Sequence, residues 1–237
     1  MSFFWFPLEH LPVIILIMLI AFAVHEFAHA WTAWKFGDDT AYREGRVTLN
    51  PLAHLDWIGM LFLVIAGFGW AKPVPVRRSR FKNPRLMNIV VTAAGPVSNL
   101  LLAFLFLLLV DLLYLFNAFG GASADLMNNI VIFIVYWISI NLALFLFNLL
   151  PIPPLDGYRI VEEFLPWRVR LKIQEMGQWI TFGFLLIVFI PPLRDVTIRP
   201  LMGLRGPIVD GMTSILGGLL SGAGGSFSRA VFGMIGW

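Results

Sequence analysis

Cysteine is absent from the 237 residues, which excludes a disulfide framework, a thiolate zinc site and a cysteine nucleophile. Charge is scarce as well: Asp, Glu, Lys and Arg make up 13% of the chain against 59% hydrophobic residues. A soluble domain of this length needs a polar surface, and there is too little charge here to cover one. Lipid must therefore be the solvent for much of the exterior, which makes a multi-spanning membrane domain the natural class. Histidine occurs four times, at His10, His25, His29 and His54. Any metal must be held by these and by carboxylates. Lys and Arg are missing from Met1 to Pro12. The apolar run at 12–20, with Ala21-Phe22-Ala23 as a mimic of a cleavage site, thus lacks the charged start of a secretory signal and continues to Phe36. A retained membrane helix is expected.

Apolar segments long enough to span lie at about 11–36, 88–116, 130–150 and 173–193. Gly37 followed by Asp38-Asp39 is a helix stop. Residues 57–69 are apolar but short, which fits a re-entrant segment better than a crossing. The expectation is an all-α polytopic bundle of about 4–6 membrane segments, with a small re-entrant or β-like insertion (45–76) after the first span. Residues 1–193 form the membrane-embedded domain. Residues 194–237 form a Gly-rich tail, in which Ile208, Met212, Ile215, Leu216 and Leu219 share a helical face suited to an interfacial helix.

Of the 17 Lys and Arg, nine lie between Lys35 and Arg85, four between Arg159 and Lys172, and none between Asn117 and Asn129. The positive-inside tendency puts 37–87 and 151–172 in the cytoplasm and 117–129 outside. Arg194, Arg199 and Arg205 fall on the outer side and run against this scheme.

His25-Glu26-Phe27-Ala28-His29 has the pattern H-E-x-x-H. Four residues is just over one helical turn, so both imidazoles project from one face, about 6 Å apart along the axis. Both can reach one metal ion, and Glu26 can reach its water. A bound zinc lowers the pKa of that water to roughly 7, and the carboxylate then takes its proton as it attacks a carbonyl. Three ionisable groups inside an apolar span are costly and mark function. Two histidines leave zinc one protein ligand short of the usual three. Asp156 follows the span that returns to the same side, and reads either as that ligand or as a helix N-cap before Tyr158–Leu165.

Taken together, the H-E-x-x-H of one span, Gly95-Pro96-x-x-Asn99, and the later Asn148-x-x-Pro151-x-Pro153-x-x-Asp156-Gly157 resemble the site-2 protease family of intramembrane zinc metalloproteases. The resemblance covers about residues 11–165, and Gly45–Pro51 and Trp70–Val76 look like its compact bacterial members. It implies one zinc per chain held by His25, His29 and Asp156, Glu26 as general base, and Asn148 helping to stabilise the oxyanion. The substrates it implies are transmembrane proteins or peptides, cleaved in the membrane with the site toward the cytoplasm, and nucleic acid is not among the expected partners. There is no room for a PDZ or CBS domain within these residues.

Several readings stay open at this level. The same ligands would serve a metal transporter or sensor, or a hydrolase acting on lipid or prenylated peptides. His54 is a supplementary ligand, a proton carrier or a solvated loop side chain. His10, next to Glu9, sits at the membrane edge. Asn99 either bonds near the site or ties two helices together. Pro73 and Pro75 would put their missing N–H groups on one edge of an extended segment, with Val74 and Val76 on the other. Residues 70–76 are therefore an edge strand whose free side takes unwound substrate, or a loop stiffened by prolines.

Overall fold

A computed structural model describes residues 7–220 and 227–235. Its helices are α1 (Leu11–Lys35), α2 (Thr40–Arg43), α3 (Pro51–His54), α4 (Trp57–Ala66), α5 (Pro84–Leu115), α6 (Ala124–Asn148), α7 (Asp156–Glu162), α8 (Trp167–Glu175), α9 (Gly177–Phe189), α10 (Pro191–Gly203), α11 (Arg205–Leu219) and α12 (Phe227–Ile235). The all-α class is as expected, and no strand occurs among the described residues.

Local chemistry sets the ends of the long helices. Pro12 sits in the first turn of α1, where its missing N–H costs nothing. Gly37, at φ 101°, ends that helix as expected. Asn83 caps α5 by accepting from the Leu86 N–H, ahead of Pro84. Ser123 caps α6 in the same way through the Leu126 N–H.

Residues 8–35, α5 and α6 are each long and apolar enough to cross a membrane. Leu101, Leu105, Leu109 and Leu113 form an exposed stripe along α5. At i, i+4 spacing such a stripe belongs against acyl chains. The chain is a multi-pass membrane protein. Helix α5 is the hub, packing against α1, α6, α7, α11 and α12. One core cluster joins Leu107 and Val110 of α5 to Ile134, Ile138 and Leu142 of α6. A second joins Ile14, Ile17 and Met18 of α1 to Leu63 of α4 and Ile140 of α6.

Three segments differ from expectation. The span expected at 173–193 is instead the end of α8 followed by α9, which stops at Phe189; the chain then bends by 90° into α10 and α11. Pro191-Pro192 removes two successive N–H groups there, and α9 at 13 residues is only about 20 Å long. The apolar face expected on the tail is divided in its described part. Helix α11 buries Val209, Met212 and Leu216 in the α5–α6 core, whereas Ile215 and Leu219 stay exposed. Residues 221–226 and 236–237 of that tail lie outside the described residues.

The third difference is in the insertion. Helix α4 is about 15 Å long, too short to cross. It turns back at Gly67, in the left-handed region, into residues 68–77, which carry neither helix nor strand. A Cβ on Gly59 would lie 2.2 Å from the Trp70 carbonyl oxygen, so this return requires glycine. The segment does not pair as a β-strand.

The absence of cysteine allows single-cysteine labelling without background. Ser123→Cys is expected to react with an impermeant maleimide from the membrane side opposite to Lys82→Cys and Arg168→Cys. Labelling of all three from one side would contradict the α5–α6 crossing.

Candidate metal centre

The site is assembled from α1, α5 and the start of α7. His25 and His29 lie one turn apart on the buried face of α1, with ring centroids 4.7 Å apart and planes nearly perpendicular at 86°. Their Nε2 atoms are 3.1 Å apart. Asp156 Oδ2 is 3.2 Å from each. Tetrahedral zinc with bonds of about 2.0–2.1 Å holds neighbouring ligand atoms roughly 3.3–3.4 Å apart. All three separations come close to that edge length, and the group is the kind that could hold a metal ion.

Hydrogen bonding makes the fit chemical as well as geometric. His29 Nδ1 donates to the Val91 carbonyl at 2.8 Å. His25 Nδ1 donates to Asn99 Oδ1 at 2.8 Å. The orientation of the Asn99 amide follows from its other bonds, because its nitrogen donates to the Ala21 carbonyl and to Asn141 Oδ1. Asn141 in turn donates to the Trp137 carbonyl at 2.9 Å. This chain of amides, anchored on a backbone carbonyl of α6, fixes the proton of His25 on Nδ1 and leaves the Nε2 lone pair facing Asp156. Asp156 Oδ2 is buried and has no hydrogen-bond partner. In the neutral tautomers that these acceptors favour, two lone pairs and a carboxylate oxygen face one another, an arrangement that a divalent cation satisfies.

The N-cap reading of Asp156 fails, because Leu155 occupies the cap position and no side chain caps α7. Of the two roles left open for Asn99, the structure shows both: it is fully buried, bonds His25, and links α5 to α1 and α6. The G-P-x-x-N spacing has a steric basis too. A Cβ on Gly95 would lie 2.3 Å from His29 Nε2 and 2.7 Å from His25 Cε1, so no other residue fits beneath the imidazoles. Pro96 removes the N–H that would bond the Thr92 carbonyl and crowds that turn of α5. The Val91 carbonyl, which His29 uses, lies in the same turn.

Glu26 is buried at 8% exposure, and its Oε2 accepts the Val74 N–H at 2.9 Å. The insertion is held in place for this contact. Lys72 donates its N–H to the His54 carbonyl at 2.9 Å, and its own carbonyl accepts from Arg46 at 2.6 Å. His54 is neither a ligand nor solvated. It is 1% exposed, its Nε2 donates to the Thr48 carbonyl at 2.9 Å, and burial holds its pKa below the ordinary value. Asn148 lines the same cavity as Glu26 and Asp156, half-buried, with its amide nitrogen donating to the Leu144 carbonyl. Asn141 and Val91 were not picked out from the sequence. Only Asn141 left a signal there, as a polar residue in the middle of an apolar span.

Removing the support of His25 is expected to loosen the metal rather than unfold the chain. Asn99→Ala should lower zinc affinity about 10–100-fold, and Gly95→Ala should lower it at least as much by displacing both rings. Zinc titration of the purified variants measures this; unchanged affinity in both would contradict the assigned geometry.

A model of peptidase family M50 matches residues 13–190. The chain is 48% identical over 204 residues to a Bacillus subtilis protein named "Putative zinc metalloprotease YwhC", covering 84% of this chain and 90% of that one. It is 34% identical over 190 residues to "Putative zinc metalloprotease Rip2" of Mycolicibacterium smegmatis, covering 77% and 68%. The corresponding Rip2 of Mycobacterium tuberculosis is 31% identical over 194 residues, covering 78% and 71%. No solved structure matches the chain. A family match over most of the sequence, joined to a buried cluster of two histidines and an aspartate, shows that the chain belongs to peptidase family M50, the site-2 protease family, and is a zinc-dependent protease.

Proposed function

We propose that this protease cleaves peptide bonds within or beside the transmembrane segments of other membrane proteins, with zinc held by His25, His29 and Asp156. The observation that carries the reading is the convergence of their three ligand atoms within 3.2 Å, in the buried part of a membrane helix and beside a cavity that also holds Glu26. Bound zinc supplies Lewis-acid activation of water and of the substrate carbonyl. Glu26 takes the proton of the attacking water and passes it to the leaving amide nitrogen. The Val74 N–H fixes the rotamer of Glu26 so that one oxygen stays available for this task. Asn148 would donate to the developing oxyanion after giving up its bond to the Leu144 carbonyl.

The membrane-embedded domain takes in residues 1–193 together with α11, which shares the α5–α6 core, and its site lies toward the cytoplasm, as the clusters of basic residues at 35–85 and 159–172 imply. The substrate segment is unwound before cleavage and lies against residues 70–76. Lys72 and Val74 already spend their N–H groups inside the protein. In an extended run the Pro73 and Pro75 carbonyls face the other way, and would accept from the substrate backbone. A transport role is disfavoured because transport needs ligands along a path. The described residues hold one cluster of three metal-binding side chains.

Glu26→Gln is expected to retain zinc at wild-type stoichiometry while cleavage of a single-span substrate falls about 10³-fold or more. His25→Ala and Asp156→Ala should lose both. Metal content and cleavage measured on the same preparations test the reading. A Glu26→Gln variant that still cleaves would end it.

A further inference from the structure

The cavity that holds Glu26 has a volume of about 1740 Å³, above the roughly 300–1,000 Å³ of small-molecule pockets. Its lining runs along α6 from Val131 to Asn148, about 26 Å. The arginines that run against the positive-inside pattern, Arg194, Arg199 and Arg205, line it as well. Beside the metal ligands it is lined by Arg78 and by Arg159 and Glu162 of α7.

The ionic groups at this metal end are not equivalent. Arg78 is spent on the buried Glu163, at 3.0 Å. Glu162 is turned toward α8, where it accepts from Gln174 at 3.0 Å and lies 3.9 Å from Arg170 Nε. Asp156 faces the two imidazoles, and Glu26 accepts the Val74 N–H. These two carboxylates are balanced by the two charges of a bound zinc. Arg159 is exposed, and its guanidinium makes no hydrogen bond or ion pair among the described residues. It is thus a cation that the cavity wall does not compensate.

Its place on α7 sets what it can reach. Arg159 follows Asp156 by three residues, close to one turn of the same helix. Side chains at that spacing are about 5–6 Å apart at Cβ, and an extended substrate advances about 3.3 Å per residue. A long side chain starting there meets substrate about two to four residues from the bond held at the metal. Substrate that fills the cavity displaces the water around Arg159. The guanidinium then needs an acceptor from the substrate, and a substrate cation at that place would leave two like charges together.

We propose that Arg159 is a specificity-determining residue, favouring substrates with a carboxylate side chain about two to four residues from the scissile bond and disfavouring Lys or Arg there. The inference rests on the intramembrane reading above and adds a preference to it.

The test uses full-length Glu26→Gln protein in phosphatidylcholine liposomes, on preparations that hold zinc at wild-type stoichiometry. The ligands are designed single-span peptides with an apolar stretch of about 20 residues. Each carries one Asp, or one Lys, at successive positions through either flank. At the positions that reach Arg159 the Asp peptide is expected to bind about fivefold more tightly than its Lys counterpart, the upper end for a partly hydrated ion pair. Arg159→Glu in the same background should reverse that order, and the gain in binding of the Lys peptide cannot come from misfolding. Arg168→Glu, which changes an exposed arginine on α8, should leave the order as it was. Equal binding of Asp and Lys peptides at every position, or a preference that survives Arg159→Glu, overturns the role of Arg159 alone. So does a preference that Arg168→Glu abolishes equally, since it would then belong to the general charge of the cytoplasmic face. Binding of no peptide instead removes the intramembrane reading on which the inference rests.

Discussion

Two imidazole nitrogens and a carboxylate oxygen at 3.1–3.2 Å from one another repel unless a cation lies between them. In a region shielded from water that repulsion is large, and no solvent is at hand to relieve it. The surrounding helices are arranged so that the clash becomes metal affinity. Each imidazole gives its one proton to an acceptor outside the cluster, His29 to a backbone carbonyl and His25 to an asparagine whose own amide is anchored. With Nδ1 committed in this way, the Nε2 atom of each ring is the one presented to the metal.

The same constraint explains why α5 is the hub of the bundle. It must come close to α1 at Gly95, offer a carbonyl at Val91 and place Asn99 against His25. These positions succeed one another at i, i+4 and i+8, one face of one helix. Helix α7 brings Asp156 to that face and is tied to it at its other end. Glu163, at its C-terminus, accepts from Arg78 and from Asn88 of α5 at 3.1 and 2.9 Å. Arg78 belongs to the stretch that follows Val74. One buried carboxylate therefore holds together α5, the helix carrying Asp156 and the segment that positions Glu26.

The insertion between α1 and α5 has only a small apolar cluster, shared with Ala30 of α1, and is fixed by polar clamps as well. Asp38 binds the Thr40 N–H at 3.1 Å and the Arg77 N–H at 2.5 Å, closing one end of the segment onto α1. Arg46 and His54 close the other end through Lys72. Between them Pro73 and Pro75 stiffen the backbone, and Val74 is buried with Ala30 and Ala41. A buried side chain and a committed N–H on one residue make Val74 the point at which the insertion engages the site.

Composition alone decided that the chain lives in lipid, because charge was too scarce to cover a soluble surface. The helical repeat alone put His25 and His29 on one face, because four residues is close to one turn whatever the tertiary fold. The roles of Asp156, Asn99 and His54 stayed open at that level. Each depends on a partner 74 to 131 positions away or on a carbonyl whose exposure no local pattern records. The fourth apolar stretch was long enough to cross, but its length carried no information about the bend at Pro191. The outer-side arginines looked misplaced until the fold turned them toward a cavity. Spacing along a chain fixes which side chains share a helical face, whereas distances between helices are set by packing, and only packing decides which polar groups meet.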